Sequence, residues 1–256
     1  LPYSTKTLPA SYTRNFIETS LPRARAKIDN AIAVISRHEF KRDGDLLMKA
    51  LFGSTPQVAT DRLVNYLRLI RFDFAGFSVS NTLLDAVKHN ETLASFDVNN
   101  YKRWKSASSN DASGIAFIEI YTQNLNKHFV NLGFNHDVVA DDLIHELFHG
   151  SAQTVDVGYA TDTEHASHSG QRLDVAQLLN LASGNLPVAD SIAGNHAVSK
   201  AFENADSLAI ATSLLSQMAT DKTTFDRNMT TIRRALDASG GRAIGQPVVI
   251  TLNKPL

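Results

Sequence analysis

The five residues His145-Glu146-Leu147-Phe148-His149 constrain this chain more than any other stretch, because their spacing acquires chemical meaning on a helix. At 3.6 residues per turn, positions i and i+4 lie one above the other, so both imidazoles can face a single cation. Glu146 is rotated about 100° from His145, beside such a cation rather than on it, where a carboxylate can act as general base on a metal-bound water. Neighbouring residues agree with a helix. Asp137 is suited to cap its start, Gly150 to end it as a C′ residue, and Val139, Ala140, Leu143 and Leu147 form an apolar stripe opposite the histidines. The predicted helix runs from about Val138 to His149, with one side in a core and the other facing a cleft.

Two imidazoles one turn apart hold zinc when a third protein ligand arrives from elsewhere, leaving the fourth position to water. The 256-residue chain has no cysteine, which excludes disulfides and thiolate zinc sites and leaves His, Asp and Glu as ligands. Asp156 is the first choice, because a bend at Gly150 can bring it back beneath the metal. Tyr159 follows, and its hydroxyl could donate to the oxyanion formed when water attacks a carbonyl. Glu203 or Asp206, at the start of a later predicted helix, could supply the ligand instead. Glu164, His165 and His168 lie in a polar loop and read as solvated surface. Asp141 and Asp142, a turn before the motif, are either outer partners of imidazole N–H groups or simply exposed.

Composition narrows the partners. At 43% apolar and 20% charged residues the chain reads as an ordinary globular protein, and a formal charge of -1 gives no electrostatic case for nucleic acid or an anionic membrane. No apolar run approaches the roughly 18 to 20 residues that would cross a bilayer, so membrane insertion is not expected. The start at Leu1 rather than Met suggests a processed or trimmed chain. The expected setting is secretion or delivery outside the producing cell, a cytoplasmic one being compatible as well.

Hydrophobic periodicity predicts a mostly helical α+β chain in one domain, residues 1 to 256. Ser20 and Pro22 read as a helix start, with Leu21, Ile28, Ile32 and Ile35 on one face to about His38. Arg42-Asp43-Gly44-Asp45 reads as a turn, Leu46 to Phe52 as a short apolar piece, and Thr55-Pro56 as the cap of a second long helix through Leu63, Leu67 and Ile70. A helix is expected near Thr82 to Lys88, an extended piece at Leu93 to Val98, and a loop from Ser106 to Gly114. Ile115 to Tyr121, dense in β-formers, reads as a strand near the histidine helix, either an edge on which a peptide aligns or a buried inner strand. Further helices are expected over Gln171 to Leu181, from Asn204-Ala205-Asp206-Ser207 through Leu215, and along Phe225, Met229, Ile232 and Leu236 to a stop at Ser239-Gly240-Gly241. Val248 to Leu252 could add a strand.

The combination of His145-Glu146-x-x-His149, Thr154-Val155-Asp156-Val157-Gly158-Tyr159 and Asn204-Ala205-Asp206-Ser207 resembles the deuterolysin or aspzincin zinc endopeptidases, which include the peptidyl-Lys metalloendopeptidases. The resemblance covers residues 20 to 216, with 217 to 256 left as a C-terminal helix and extended tail. It implies a zincin-like fold with a small sheet beside the histidine helix, and a zinc ion held by His145, His149 and Asp156. It also implies Glu146 and Tyr159 as the catalytic groups, and protein or peptide substrates. The Asn-Ala-Asp segment would cap a helix supporting the site. Gln153 and Ala160 stand where the family has glycine, and the interval from Thr154 to Asp156 is one residue short. The expectation is a metal-dependent endopeptidase, compatible with a secreted protease or a toxin-like effector. The competing readings are a thermolysin-like peptidase using Glu203 or Asp206, and a binding protein whose zinc only staples the fold.

Overall fold

A computed structural model describes residues 10–37, 40–53, 56–85, 94–122, 124, 136–156, 172–175, 179, 182, 200–239 and 249–252. The first helix, α1 (Ala10–Ile35), begins well before the expected start and carries Pro22 in its interior. Proline there removes one backbone donor, and nearby Ser20 turns its hydroxyl back onto the Phe16 carbonyl at 2.9 Å. Helicity persists because Ile17, Leu21, Ala24, Ile28, Ala31 and Val34 recur at helical spacing and are all buried.

The predicted turn at 42 to 45 is also helical, inside α2 (Phe40–Phe52). Local turn chemistry loses to packing here: a Cβ on Gly44 would lie 2.6 to 2.7 Å from the Phe40 ring, so glycine lets that ring fold against its own helix. Gly53, at φ +62°, ends α2 in the left-handed region that glycine enters without a Cβ clash. Pro56 then occupies the first position of α3 (Pro56–Gly76), where its missing N–H costs no hydrogen bond.

Three short strands follow. β1 (Thr82–Asp85) replaces the helix expected near Thr82, residues 86 to 88 lying outside the described residues. β2 is Ala94–Phe96. Asp97 caps α4 (Val98–Ser106) by accepting from the Asn99 and Asn100 amides, both at 2.9 Å. A single turn, α5 (Ser109–Ala112), sits inside the expected loop and leads to β3 (Ile118–Tyr121). The sheet order is β1-β3-β2, with β1 parallel and β2 antiparallel to β3. The predicted strand is therefore the central one, not an edge, and the edge beside the histidine helix belongs to β2.

The histidine helix, α6 (His136–Ser151), is longer than predicted at both ends. Asp137 lies in its first turn rather than at the cap, and Gly150 is helical rather than a C′ residue. A Cβ on Gly150 would approach Phe96 and Tyr101 to 2.6 to 2.8 Å, so the residue is small because two aromatic rings close over it. The rear stripe of Val139, Ala140, Leu143 and Leu147 is buried as expected, each large member contributing on the order of 1.5 to 3 kcal/mol.

Beyond α6, β4 (Arg172–Asp174) replaces the start of the helix predicted over Gln171 to Leu181, within which Val175 and Leu179 are helical, and it pairs antiparallel with β5 (Val249–Thr251). Between them run α7 (Ala205–Thr220) and α8 (Lys222–Ser239). The face of Phe225, Met229 and Ile232 is buried. Helix α7 is buried almost all round and packs against both α1 and α6, while α1 also packs against α6 and α3. Lys27 of α1 ties three helices together. Its ammonium donates to Asp141 of α6 at 2.6 Å, to the Asp137 carbonyl at 3.0 Å and to Ser213 of α7 at 3.4 Å. The described residues thus form a mostly helical α+β structure in which no helix is long and apolar enough to cross a membrane.

Candidate metal centre

Helix α6 presents His145 and His149 on one side, with ring centroids 5.0 Å apart and ring planes at 83°. Two residues past its end the chain bends at Gln153, whose φ of +55° lies in the left-handed region. Glycine adopts that conformation at little cost, whereas a side chain costs about 1 to 2 kcal/mol. The bend sets the Thr154 carbonyl 3.0 Å from His149 Nδ1. A carbonyl only accepts, so Nδ1–H donates and the Nε2 lone pair is left free for a cation.

Val155 is then held by backbone on both sides. Its N–H donates to the Glu203 carbonyl at 2.7 Å, and its own carbonyl accepts from the Ala205 N–H at 3.2 Å. This small parallel bridge opposite Asn204 fixes the next residue, Asp156, against the histidines. Asp156 Oδ1 lies 3.1 Å from His145 Nε2 and 3.5 Å from His149 Nε2. The three donor atoms lie within 4.8 Å of one another, a set that could hold a metal ion.

Of the alternative third ligands, Asp206 sits on the other ring nitrogen of His145, its Oδ1 4.0 Å from Nδ1. Glu203 is exposed and takes part through its carbonyl. Neither belongs to the convergent set among the described residues. Tyr159, Glu164, His165 and His168 lie outside the described residues. Asp141 pairs with Lys27 and Ser213. Asn204 occupies the cap position of α7, yet its amide donates to Ser207 Oγ at 3.0 Å instead of its side chain capping the helix.

Burial dominates the charges of the site. Burial raises Glu146 to about 7, assisted by Asp156 and opposed by His145. Asp142 is likewise lifted by burial to about 7, with Asp141, Glu146 and Asp206 adding to the effect against His145. Burial works against charge on His145, but the hydrogen bond it donates to Asp156 and the charges of Glu146, Asp156 and Asp206 outweigh it and push that imidazole up to about 9. His149 moves down, first through burial and then through the neighbouring His145.

Two features of the site escape sequence reasoning. The backbone bridge from Val155 to residues 203 and 205 has no side-chain signature. The aromatic lid over Gly150 joins β2 and α4 to α6, and only the glycine itself hints at a close approach. Comparison of the chain with protein-family models, with curated proteins and with solved structures returned no match.

Proposed function

We propose that the chain is a zinc-dependent endopeptidase of the deuterolysin or aspzincin type with a zincin-like fold. One observation carries the reading: a single carboxylate oxygen, Asp156 Oδ1, faces Nε2 of both histidines at 3.1 and 3.5 Å. Ligands about 2.0 to 2.1 Å from a tetrahedral zinc are separated by about 3.3 Å, and the two spacings from Asp156 lie on either side of that value. The donor set also suits the ion, because two neutral imidazoles and one carboxylate leave room for water and keep a net positive charge.

Zinc bound by these residues would supply a Lewis acid and a water acidified toward a pKa of about 7. Glu146, buried one residue along the helix from His145, is suited to take the proton from the attacking water and return it to the leaving amine. The Thr154 carbonyl orients His149, and Asp206 lies behind His145 as an outer carboxylate. Tyr159 is the proposed oxyanion donor. An extended peptide would align along the β2 edge, since β3 already has a neighbour on each side.

The test is Glu146→Gln in zinc-loaded protein, with denatured proteins as substrates and zinc measured by elemental analysis. Zinc and fold should be retained while turnover falls by about 10²- to 10⁴-fold. Undiminished digestion would remove Glu146 from the reaction, and a wild-type protein that neither binds zinc nor cuts peptides would overturn the reading.

A further inference from the structure

We infer that Asp73 is a positioning residue for the metal centre, acting through Ser151 on the last turn of α6; the inference rests on the metal reading above. Asp73 lies near the end of α3 and is only 2% exposed. Its Oδ2 accepts from Tyr101 Oη and, at 2.5 Å, from Ser151 Oγ, while its Oδ1 accepts from the Lys105 ammonium. A carboxylate at that depth persists because Lys105 balances its charge and hydroxyls occupy its remaining acceptor sites. The burial and the Asp73 contact together hold the Tyr101 phenol in its protonated, donating form.

Ser151 closes the helix that carries the two histidines, and the bend at Gln153 follows directly. Its hydroxyl therefore fixes the point from which the chain turns back toward Asp156. The same turn is held from the side by the rings of Phe96 and Tyr101 over Gly150, and Phe96 lies 6.0 Å from the His149 ring. Tyr101 belongs to both restraints, donating to Asp73 while its ring covers Gly150. A helix end released from Asp73 changes the separation of His149 and Asp156, and zinc tolerates ligand distances only within about 0.2 Å. Outer partners of metal ligands typically change affinity by about 10- to 100-fold.

The experiment compares wild type, Ser151→Ala, Ser151→Thr and Asp73→Asn. Zinc affinity is measured by competition with a chromophoric chelator, coordination geometry by the visible spectrum of the cobalt-substituted protein, and fold by metal-free thermal unfolding. Ser151→Ala leaves Tyr101 and Lys105 on Asp73 and should unfold near the wild-type temperature. It should nevertheless bind zinc about tenfold more weakly, with altered cobalt bands. Ser151→Thr restores the hydroxyl and should recover both. Asp73→Asn should weaken zinc binding at least as much; if it fails to fold, the two Ser151 variants still decide. Wild-type zinc affinity and cobalt bands in Ser151→Ala would overturn the inference and leave Asp73 a purely structural anchor. Absence of zinc binding in the wild type would instead overturn the metal reading beneath it.

Discussion

His145 and His149 sit one helical turn apart and lean on the same carboxylate, yet their surroundings are opposite in kind. His145 lies among Asp156, Asp206 and Glu146, which push it up to about 9. His149 lies between the Phe96 ring and the Thr154 carbonyl, and burial followed by the neighbouring His145 moves its pKa down against the pull of that carbonyl and of Asp156. The helix supplies both imidazoles alike; what separates them is the chain that arrives from β2, from the Gln153 bend and from the start of α7. Surrounding carboxylates decide the charge of one histidine, and exclusion of water decides that of the other.

Asp156 is the one group common to both environments, so removing it should break the comparison most completely. Asp156→Ala should weaken zinc binding by more than about 100-fold, beyond the usual effect of an outer partner. Elemental analysis after dialysis against buffered zinc checks this, and a fully loaded variant would move the third ligand to Asp206 or Glu203.

The acidic side should next appear in the pH dependence of the metal-free protein. Asp142 and Glu146 rise from 3.8 and 4.5 to about 7, and His145 from 6.5 to about 9. In each case the folded chain binds more protons than the unfolded chain between the two values. Stability therefore declines from about pH 4 to about 7 for the carboxyls and from 6.5 to about 9 for His145. His149, shifted down, runs the other way. Thermal unfolding in chelator should show a falling midpoint from pH 6 to about 9, and saturating zinc should flatten it. Asp142→Asn sharpens the point by removing a carboxyl with no direct place among the three ligands. It should raise the unfolding midpoint of the metal-free protein at pH 8 and make the slope shallower. A lower midpoint at that pH would show that Asp142 has a compensating partner.

The smallest effect belongs to the His149 side. Gln153→Gly relieves the left-handed conformation but loosens the unfolded chain, for a net gain of about 0.5 to 1 kcal/mol with zinc affinity unchanged. Unfolding curves read the first quantity and chelator competition the second.

What could be read from sequence followed the range of the interaction. The histidine helix and its rear stripe were legible because they depend on spacing within a few turns, whereas the placement of Asp156 rests on the distant bridge at Val155. The start of α7 and the face of Phe225, Met229 and Ile232 were legible for the same reason. The Arg42 to Asp45 turn was misread because the Phe40 ring, not local turn preference, decides Gly44. Thr82 and its neighbours were misread because pairing with β3 makes them a strand. The Ile115 to Tyr121 region was assigned to a strand, but whether that strand was central depended on partners at 82 and 94. Asp73 gave no signal, since Tyr101, Lys105 and Ser151 reach it from distant parts of the chain.

The parallel bridge at Val155 has an evolutionary consequence. That junction is held by amide hydrogen bonds rather than by particular side chains. Descendants of this chain are thus free to exchange the exposed side chains of Val155 and Glu203 while the aspartate that follows stays in register.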